Sequence, residues 1–242
     1  MYGKRARIGL IVPASNTVCE PESARLAPEG VAVYAARVLF EPTLEGLGAM
    51  KDHVAKAAGE LSSEGICDVI LFCCTVGSMI GGPDADREVA ALIEDETGTP
   101  AVTTTTAVRA ALDALGLRRI AVATPYTREI DLLERGLLEA MGYEVTSIRG
   151  VHEDVDPTDF RNDMIGRLGP EAALRTARAV NGDRNQGLFI SCTNFRAIEV
   201  IGLLERETEK PVVTSNQAGL WYALRSLGIT DPLSGYGRLL EI

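Results

Sequence analysis

Two cysteine–threonine pairs are the residues of this chain whose types and positions best suit chemistry. Cys74-Thr75 and Cys192-Thr193 each end an apolar run of strand type. The 242-residue chain has only two histidines, so cysteine is the best candidate for nucleophile, acid or base. A thiol at the end of a strand that faces backbone N–H groups and the N-terminus of the next helix has a lowered pKa. We therefore predict that Cys74 and Cys192 are catalytic.

Neutral hydrogen-bond donors follow the first predicted strand and both cysteines. Segment 13–17, Pro-Ala-Ser-Asn-Thr, places Ser15 and Asn16 beside backbone N–H groups at the start of a helix, which suits a carboxylate ligand. The same residues also suit a simple turn and helix N-cap. The threonine after each cysteine and Asn194 repeat this pattern. Tyr126 follows a strand of the second half, where its phenol can donate to an oxyanion or pack at the surface.

Apolar strand-type runs alternate with helical patterns along the whole chain. The predicted strands are Arg7–Val12, Val31–Val38, Asp68–Cys74, Ala101–Thr104, Ile120–Ala123, Glu144–Arg149, Gly187–Cys192 and Val212–Thr214. The predicted helices between them include Lys51–Ser62, Asp84–Glu96, Ala107–Leu115, Ile130–Met141, Pro170–Val180 and Ala197–Glu205. Such alternation indicates βαβ units with buried parallel strands.

The second half of the chain repeats the first in order and at a nearly constant offset. The matched pairs are Ile8–Pro13 with Ile120–Pro125, Gly30 with Gly142, Cys74-Thr75 with Cys192-Thr193, and Thr99–Thr103 with Lys210–Thr214. We predict an α/β fold of two pseudo-symmetric Rossmann-like lobes, each a four-stranded parallel sheet flanked by helices. Residues 1–104 with 215–242 form the first lobe, and 105–214 form the second. Because ligands bind beyond the carboxyl ends of parallel strands, the active site lies in the cleft between the lobes.

The repeat also separates Cys74 from its neighbour Cys73. Successive strand residues point to opposite faces, and the repeat aligns Cys73 with Ser191 and Cys74 with Cys192. Cys74 is therefore the thiol that faces the cleft, whereas Cys67 and Cys73 suit the core as small apolar residues. A disulfide between Cys74 and Cys192 is the alternative.

Composition excludes several classes of function. A net charge of −10 argues against a nucleic-acid partner, which needs clustered Lys and Arg. No apolar run reaches the length of a membrane span, and the first residues lack the apolar core of a signal peptide. Five cysteines, without the spacing of a metal site, favour free thiols in a cytoplasmic protein.

For three further features we predict no nucleotide-binding or catalytic role. The glycine-rich segment Gly77–Gly82 fits neither a dinucleotide fingerprint nor a P-loop, and we predict a flexible loop near the cleft. His53 lies on a predicted helix and His152 lies in an acidic loop. We predict that both histidines are solvated and neither is catalytic.

Over essentially its whole length the chain resembles the aspartate/glutamate racemase superfamily. The duplicated lobe, the two Cys-Thr strand ends and segment 9–17, Gly-Leu-Ile-Val-Pro-Ala-Ser-Asn-Thr, carry this resemblance. Within the superfamily the chain is most similar to the maleate cis–trans isomerases, with the arylmalonate decarboxylases as relatives. The resemblance implies two facing cysteines, no cofactor, a small dicarboxylate substrate and a homodimer or higher homo-oligomer.

The resemblance also implies roles for single residues. It maps the nucleophile to Cys74, its partner to Cys192, carboxylate-binding asparagines to Asn16 and Asn162, and a hydroxyl donor to Tyr126. The predicted binding residues are Ser15, Asn16, Thr75, Val76, Tyr126, Asn162, Thr193 and Asn194. Ala14-Ser15-Asn16 replaces the acidic residue and Ser-Gly turn of amino-acid racemases, and the decarboxylases keep a cysteine only in the second lobe.

Three hypotheses follow for the function. In the first, Cys74 adds to the double bond of maleate or a close cis-butenedioate, and the adduct rotates and eliminates fumarate. In the second, two thiols exchange a proton at a carbon beside a carboxylate, as in an amino-acid or hydroxy-acid racemase or epimerase. Arylmalonate-type decarboxylation is a separate alternative. In the third, the scaffold binds a small anion without catalysis.

Overall fold

The computed structural model describes the backbone of residues 2–39, 44–79, 82, 84–155 and 162–242. It describes the side chains of the same residues except 44–51, 79, 162 and 163. The strands are β1 Ala6–Pro13, β2 Val31–Val38, β3 Val69–Phe72, β4 Ala101–Thr103, β5 Arg119–Thr124, β6 Glu144–Gly150, β7 Gly187–Ile190 and β8 Val212–Thr214. All strand pairs are parallel.

Helices connect the strands in the way that parallel sheets require. They are α1 Cys19–Leu26, α2 Leu44–Ser62, α3 Thr75–Met79, α4 Ala85–Thr97, α5 Thr104–Ala114, α6 Arg128–Ala140, α7 Pro170–Val180, α8 Ile201–Thr208 and α9 Ser215–Ser226. Short 3₁₀ turns cover Ser63–Gly65, Val151–Asp154, Asn162–Arg167 and Arg238–Glu241.

The two sheets have the same topology, which confirms the predicted fold. The first has the order β2-β1-β3-β4 and the second has the order β6-β5-β7-β8. Gly30 and Gly142 occupy matching turns before the second strand of each sheet, and both have a positive φ, of 84° and 92°. Thr103 and Thr214 cap the N-termini of α5 and α9 through the same side-chain bond to a backbone N–H. Equivalent local signals therefore produce equivalent elements.

The central strands β3 and β7 are fully buried, as expected for continuous apolar runs in a parallel sheet. Both are shorter than predicted. The strands end at Phe72 and Ile190, so each cysteine of the Cys-Thr pairs lies two residues beyond its strand. The backbone polar groups of these two cysteines take no part in the hydrogen bonds of the sheet, so they are available to other partners.

The lobes share a continuous core. One face of β1 and β3 belongs to the same cluster as β5, β7, α5 and α9, whereas Ile11, Ile70 and Phe72 on the other face pack in a second cluster with α2 and α4. The pair α5 and α9 packs together, and α9 also contacts α1 and strands of both sheets. The boundaries 1–104 with 215–242 and 105–214 stay a prediction, because this shared core does not mark where one lobe ends.

Candidate active site

A cavity of about 310 Å³ lies at the carboxyl ends of the strands, between the two sheets. It is lined by Pro13, Ser15, Asn16, Cys74, Thr75, Val76, Tyr126, Thr127, Ile130, Ile165, Cys192, Thr193 and Asn194. Nine of the ten predicted site residues are in this set. The tenth, Asn162, begins a 3₁₀ turn, and its side chain lies outside the described residues.

Cys74 sits between the end of β3 and the first turn of α3. It is 5% exposed, and its Sγ accepts the backbone N–H of Gly77 at 3.2 Å. Burial nevertheless raises the pKa of the Cys74 thiol to about 12, and the Gly77 N–H opposes only part of that rise. The expectation of a lowered pKa was therefore wrong, because desolvation of the thiolate outweighs one N–H donor.

We expect the alkylation of Cys74 by iodoacetamide to speed up about tenfold for each pH unit between pH 7 and 9. The thiolate is the reactive form, and its fraction rises tenfold per unit while the pH stays below the pKa of about 12. Alkylation of Cys74, resolved by peptide mass spectrometry, measures this slope. A rate that reaches a plateau near pH 7 would contradict a protonated resting thiol.

Gly77 allows the close approach of α3 to the Cys74 thiol. A Cβ at this position would lie 2.8 Å from Cys74 Sγ, which is closer than such atoms pack. The predicted loop over Gly77–Gly82 was wrong for its first part, because residues up to Met79 belong to α3. Residues 80, 81 and 83 lie outside the described part of the chain.

Cys192 reaches the cavity from the second lobe through a strained backbone. Its φ is +91°, a value that costs energy for any residue with a Cβ. The Cys192 N–H donates to Ser215 Oγ at 3.0 Å, and the Sγ accepts the N–H of Asn194 at 3.3 Å. These bonds hold the unusual conformation, which points to a functional demand on the direction of this side chain.

The electrostatics of Cys192 differ from those expected. No helix begins directly after it, because α8 starts at Ile201 instead of at the predicted Ala197. Burial raises the pKa of Cys192 to about 11, and hydrogen bonds from the Tyr126 phenol and the Asn194 N–H lower it in part. The raised pKa values therefore favour the neutral form of both cavity thiols at pH 7.

Cys73 points away from the cavity, as the alternation of side chains predicts. Its Sγ donates to the carbonyl of Leu71 at 3.4 Å, and the residue is 1% exposed within the core. All five cysteines are free, so the alternative of a disulfide between Cys74 and Cys192 was wrong. Cys74 is the thiol after β3 that a ligand in the cavity can contact.

Asn16 joins the two lobes beneath the cavity. Its Oδ1 accepts the backbone N–H groups of Val18 and Cys19 at 3.0 and 2.9 Å, so it stabilises the start of α1 as the turn interpretation predicts. Its Nδ2 donates to Thr193 Oγ1 at 3.0 Å. Among the described residues nothing accepts the second Nδ2–H, which leaves one donor for a ligand.

Thr193 and Asn194 lie in the same contact between the lobes. Thr193 Oγ1 donates to the carbonyl of Cys73 at 2.9 Å, and Asn194 Oδ1 accepts the N–H of Thr17 at 2.9 Å. Each cysteine segment is thus tied to the opposite lobe. The relative position of the two thiols is set by bonds that cross the cleft.

Ser15, Thr75 and Val76 complete the wall of the first lobe. Ser15 is exposed and lines the cavity. Thr75 is buried and donates through Oγ1 to Ser215 Oγ at 3.2 Å. Val76 adds an apolar contact in the first turn of α3.

Ser215 is a residue that sequence reasoning missed. Its hydroxyl accepts both the Cys192 N–H and the Thr75 hydroxyl, so it links the two cysteine segments. The repeat contains a signal for this residue, because Ser215 and Thr104 occupy equivalent positions and both carry a hydroxyl. In the structure the Thr104 hydroxyl donates to the carbonyl of Phe72 at 2.9 Å. The apolar cavity residues Ile130 and Ile165 were also missed, and they carry no chemical signal in the sequence.

The lining of the cavity contains no charged side chain among the described residues. A carboxylate bound there would meet hydroxyl, amide and backbone N–H groups. These are the neutral hydrogen-bond donors that the sequence predicts for a carboxylate ligand. Across the part of the chain that the structure describes, no group of His, Cys, Asp and Glu can hold a metal ion. In the same part no helix is long and apolar enough to cross a membrane.

A buried carboxyl lies behind the wall of the second lobe. Glu134 in α6 is completely buried, and neither of its oxygens has a hydrogen-bond partner among the described residues. Burial raises the pKa of Glu134 to about 8, the nearby Ser191 hydroxyl opposes the rise, and Asp131 adds to it. The carboxyl is therefore mostly neutral at pH 7.

We expect Glu134 to make the free energy of unfolding fall as the pH rises from about 4.5 to 8. The pKa of this carboxyl is near the ordinary value of 4.5 in the unfolded chain and about 8 in the folded protein. Between these values the folded state binds more protons, so rising pH favours unfolding. Urea denaturation at pH 5 and pH 8 measures the decline, which should be shallower in Glu134→Gln. Equal declines in both proteins would contradict the assignment.

Known proteins are similar to this chain over nearly its whole length. A family model described as arylmalonate decarboxylase matches residues 8–240. A maleate isomerase of Nocardia farcinica (strain IFM 10152) is 29% identical and aligns with 97% of this chain and 95% of its own length. An arylmalonate decarboxylase of Bordetella bronchiseptica is also 29% identical, over 97% of this chain and 96% of its own.

A solved structure adds chemical detail about one relative. A cysteine-to-serine mutant of the Nocardia farcinica maleate cis–trans isomerase, with a covalently bound succinylcysteine intermediate, has a TM-score of 0.87 to this fold. It is 27% identical, and the alignment covers 98% of both chains. The resemblance therefore includes a maleate cis–trans isomerase with a covalent intermediate on a cysteine.

Proposed function

This chain belongs to the arylmalonate decarboxylase family, and from that premise we propose that it is an isomerase that converts maleate, or a close cis-butenedioate, to the trans isomer. One observation carries the proposal: thiols from both lobes, Cys74 and Cys192, line a single cavity of neutral donors. The arylmalonate decarboxylases that this chain resembles have glycine at the position equivalent to Cys74. A thiol at this position supplies the nucleophile that isomerisation needs.

Cys74 carries the covalent step. As the ligand binds, the Cys74 thiol gives its proton to solvent, and the thiolate sulfur adds to one alkene carbon while the electron pair of the double bond moves to the other alkene carbon. The carboxylate on that carbon takes up the charge as an enediolate. The former double bond is now single and rotates, and elimination of Cys74 re-forms it in the trans geometry. The sulfur takes a proton back from solvent after elimination. Covalent addition thereby replaces one high rotational barrier by two smaller steps.

Neutral donors stabilise the charge that develops on the carboxylate. Ser15, the free N–H of Asn16 and the backbone at Thr75 serve the first-lobe side, and the Tyr126 phenol serves the second-lobe side. Fixed donors in a buried site stabilise a developing anion more strongly than water does. Four further residues are proposed to contact the same ligand or to hold the side chains that contact it: Val76, Asn162, Thr193 and Asn194.

Cys192 acts on the opposite side of the substrate. Burial keeps its thiol protonated, and the nearby Tyr126 phenol lowers the thiol pKa in part, so Cys192 can give a proton to the carbanion and take one back before elimination. The two thiols repel each other as anions, since a charge on Cys192 would raise the pKa of Cys74. The pair therefore carries at most one negative charge during the reaction.

A proton NMR assay tests the proposed activity. We expect the alkene signal of maleate to be replaced by that of fumarate on addition of the protein. A chiral acid that gains solvent deuterium without any change in maleate would instead favour a racemase or epimerase, for which the thiol pair is also suited. Absence of both reactions would contradict the proposal.

The compartment and the oligomeric state of the enzyme belong to the same proposal. We infer that it works in the cytoplasm, because reactive free thiols persist in a reducing compartment. We infer a homodimer or higher homo-oligomer from the family resemblance. Size-exclusion chromatography with light scattering measures the oligomeric state.

A further inference from the structure

A small polar cluster lies behind Tyr126, outside the cavity. His152 follows β6 in a 3₁₀ turn, and Asp131 lies in the first turns of α6. His152 was predicted to be solvated, but its side chain is only 20% exposed and that of Asp131 only 6%. The solvated interpretation of His152 was therefore wrong.

The contacts of this cluster converge on the backbone of Tyr126. The Nδ1 of His152 lies 2.5 Å from the Tyr126 carbonyl oxygen, and because a carbonyl can only accept, Nδ1 must carry the proton. The Tyr126 N–H donates to Thr124 Oγ1 at 3.2 Å. Thr124 in turn donates to Asp131 Oδ1 at 2.5 Å. Both polar groups of the Tyr126 backbone are thus held by side chains.

Asp131 also lies beside the imidazole. Its Oδ2 is 3.8 Å from His152 Nδ1, and the presence of His152 favours the ionised carboxyl by lowering the pKa that burial raises. One carboxyl therefore contacts both side chains that hold Tyr126, through a different oxygen in each case. Such an arrangement fixes the tautomer of the histidine and the direction of its donor.

Gly150 makes room for this contact. A Cβ at Gly150 would lie 2.5 Å from the Tyr126 carbonyl oxygen and 2.7 Å from Asp131 Oδ2, so no larger residue fits without moving the cluster. The end of β6 is consequently packed directly against the Tyr126 turn. This close approach is a property of the fold and does not depend on the protonation of any group.

We propose that His152, oriented by Asp131, is a positioning residue that holds the Tyr126 turn so that the phenol reaches Cys192 and the substrate. This inference rests on the proposed function for its effect on turnover, but its effect on Cys192 is independent of the substrate. Tyr126 is buried and lines the same cavity as Cys192, and its phenol acts on that thiol by lowering its pKa. A displaced turn withdraws that donor from both the thiol and the ligand.

The kinetic test uses a double-mutant cycle. We expect His152→Leu to lower kcat/KM for maleate by about tenfold or more, and by less than about threefold in a Tyr126→Phe background, because the phenol through which His152 acts is then absent. His152→Asn keeps an N–H donor near the Nδ1 position and should retain most of the activity. His152→Gln moves the donor and should not. His53→Leu, at an exposed histidine of α2, is the matched control.

A second measurement does not need turnover. In a Cys74→Ala protein we expect His152→Leu to slow the alkylation of Cys192 by iodoacetamide at pH 9 by about fivefold, the effect of one lost hydrogen bond. The slowing should vanish with Tyr126→Phe. If wild-type protein lacks activity on maleate while this slowing is observed, the proposed substrate fails and the positioning role stands.

The opposite results would overturn the role of His152. Equal effects of His152→Leu with and without the Tyr126→Phe substitution would show a general structural contribution. Equal kcat/KM values and alkylation rates for the Asn and Gln variants would exclude the directed donor, and this comparison remains available if the leucine variant does not fold. Melting temperatures of all variants identify such a failure.

Discussion

Replacement of Cys74 by alanine is expected to lower kcat for maleate isomerisation by about 10⁴-fold or more, since loss of the nucleophile removes the covalent route entirely. The structure offers no substitute at this place among the described residues, because Cys73 points into the core and the first-lobe lining of the cavity contains no other nucleophile except hydroxyl groups. Rates of fumarate formation, measured by absorbance or NMR, provide the test.

Cys73→Ala is the matched control for this variant. It removes the same functional group one residue away, from a buried site that does not line the cavity. We expect it to cost some stability through the loss of packing while kcat stays within about threefold of wild type, an ordinary tolerance for a change outside the site. Full activity in Cys74→Ala, or loss of activity in Cys73→Ala alone, would show that the nucleophile is assigned wrongly.

Replacement of Cys192 by serine is expected to lower kcat by about 10²- to 10⁴-fold, the usual contribution of one general acid or base. A hydroxyl keeps the approximate size and the hydrogen bond with Tyr126, but it neither gives nor takes a proton as readily as a thiol does. The effect should fall on kcat more than on KM, because the backbone of Cys192 is held by Ser215 and Asn194. Steady-state kinetics separate the two constants.

The backbone strain at Cys192 provides the control. Cys192→Gly relieves the positive φ of +91° and also removes the thiol, so it should be as inactive as the serine variant while its free energy of unfolding differs. A serine variant with wild-type kcat would exclude a proton-transfer role for Cys192. A purely structural role predicts instead that activity follows stability across these substitutions.

The fold could be predicted from the sequence because its strongest signals are local and occur twice. Apolar runs identified β3 and β7, and the ordered repeat predicted two sheets of equal topology. The repeat also separated Cys74 from Cys73, which composition alone could not do. Strand ends were less well predicted, since the apolar runs continue through both cysteines although the ladders end at Phe72 and Ile190.

The electrostatics of the site could not be predicted in the same way. A pKa depends on how much water and how many donors surround a group, and those neighbours come from distant parts of the chain. Cys74 follows the expected motif, yet its burial outweighs the N–H of Gly77 and raises the thiol pKa. His152 looked like a residue of an acidic loop, because its contact with Tyr126 forms only when β6 packs beside the turn after β5.

The central claim is that Cys74 attacks carbon and does not merely take a proton. Intact-protein and peptide mass spectrometry of Cys192→Ser, mixed with maleate and quenched in acid, tests it most directly. The account predicts an added mass of one maleate per chain, located on the peptide that contains Cys74 and absent from the Cys74→Ala, Cys192→Ser double variant. Unmodified Cys74 in a variant that still turns over maleate would contradict it.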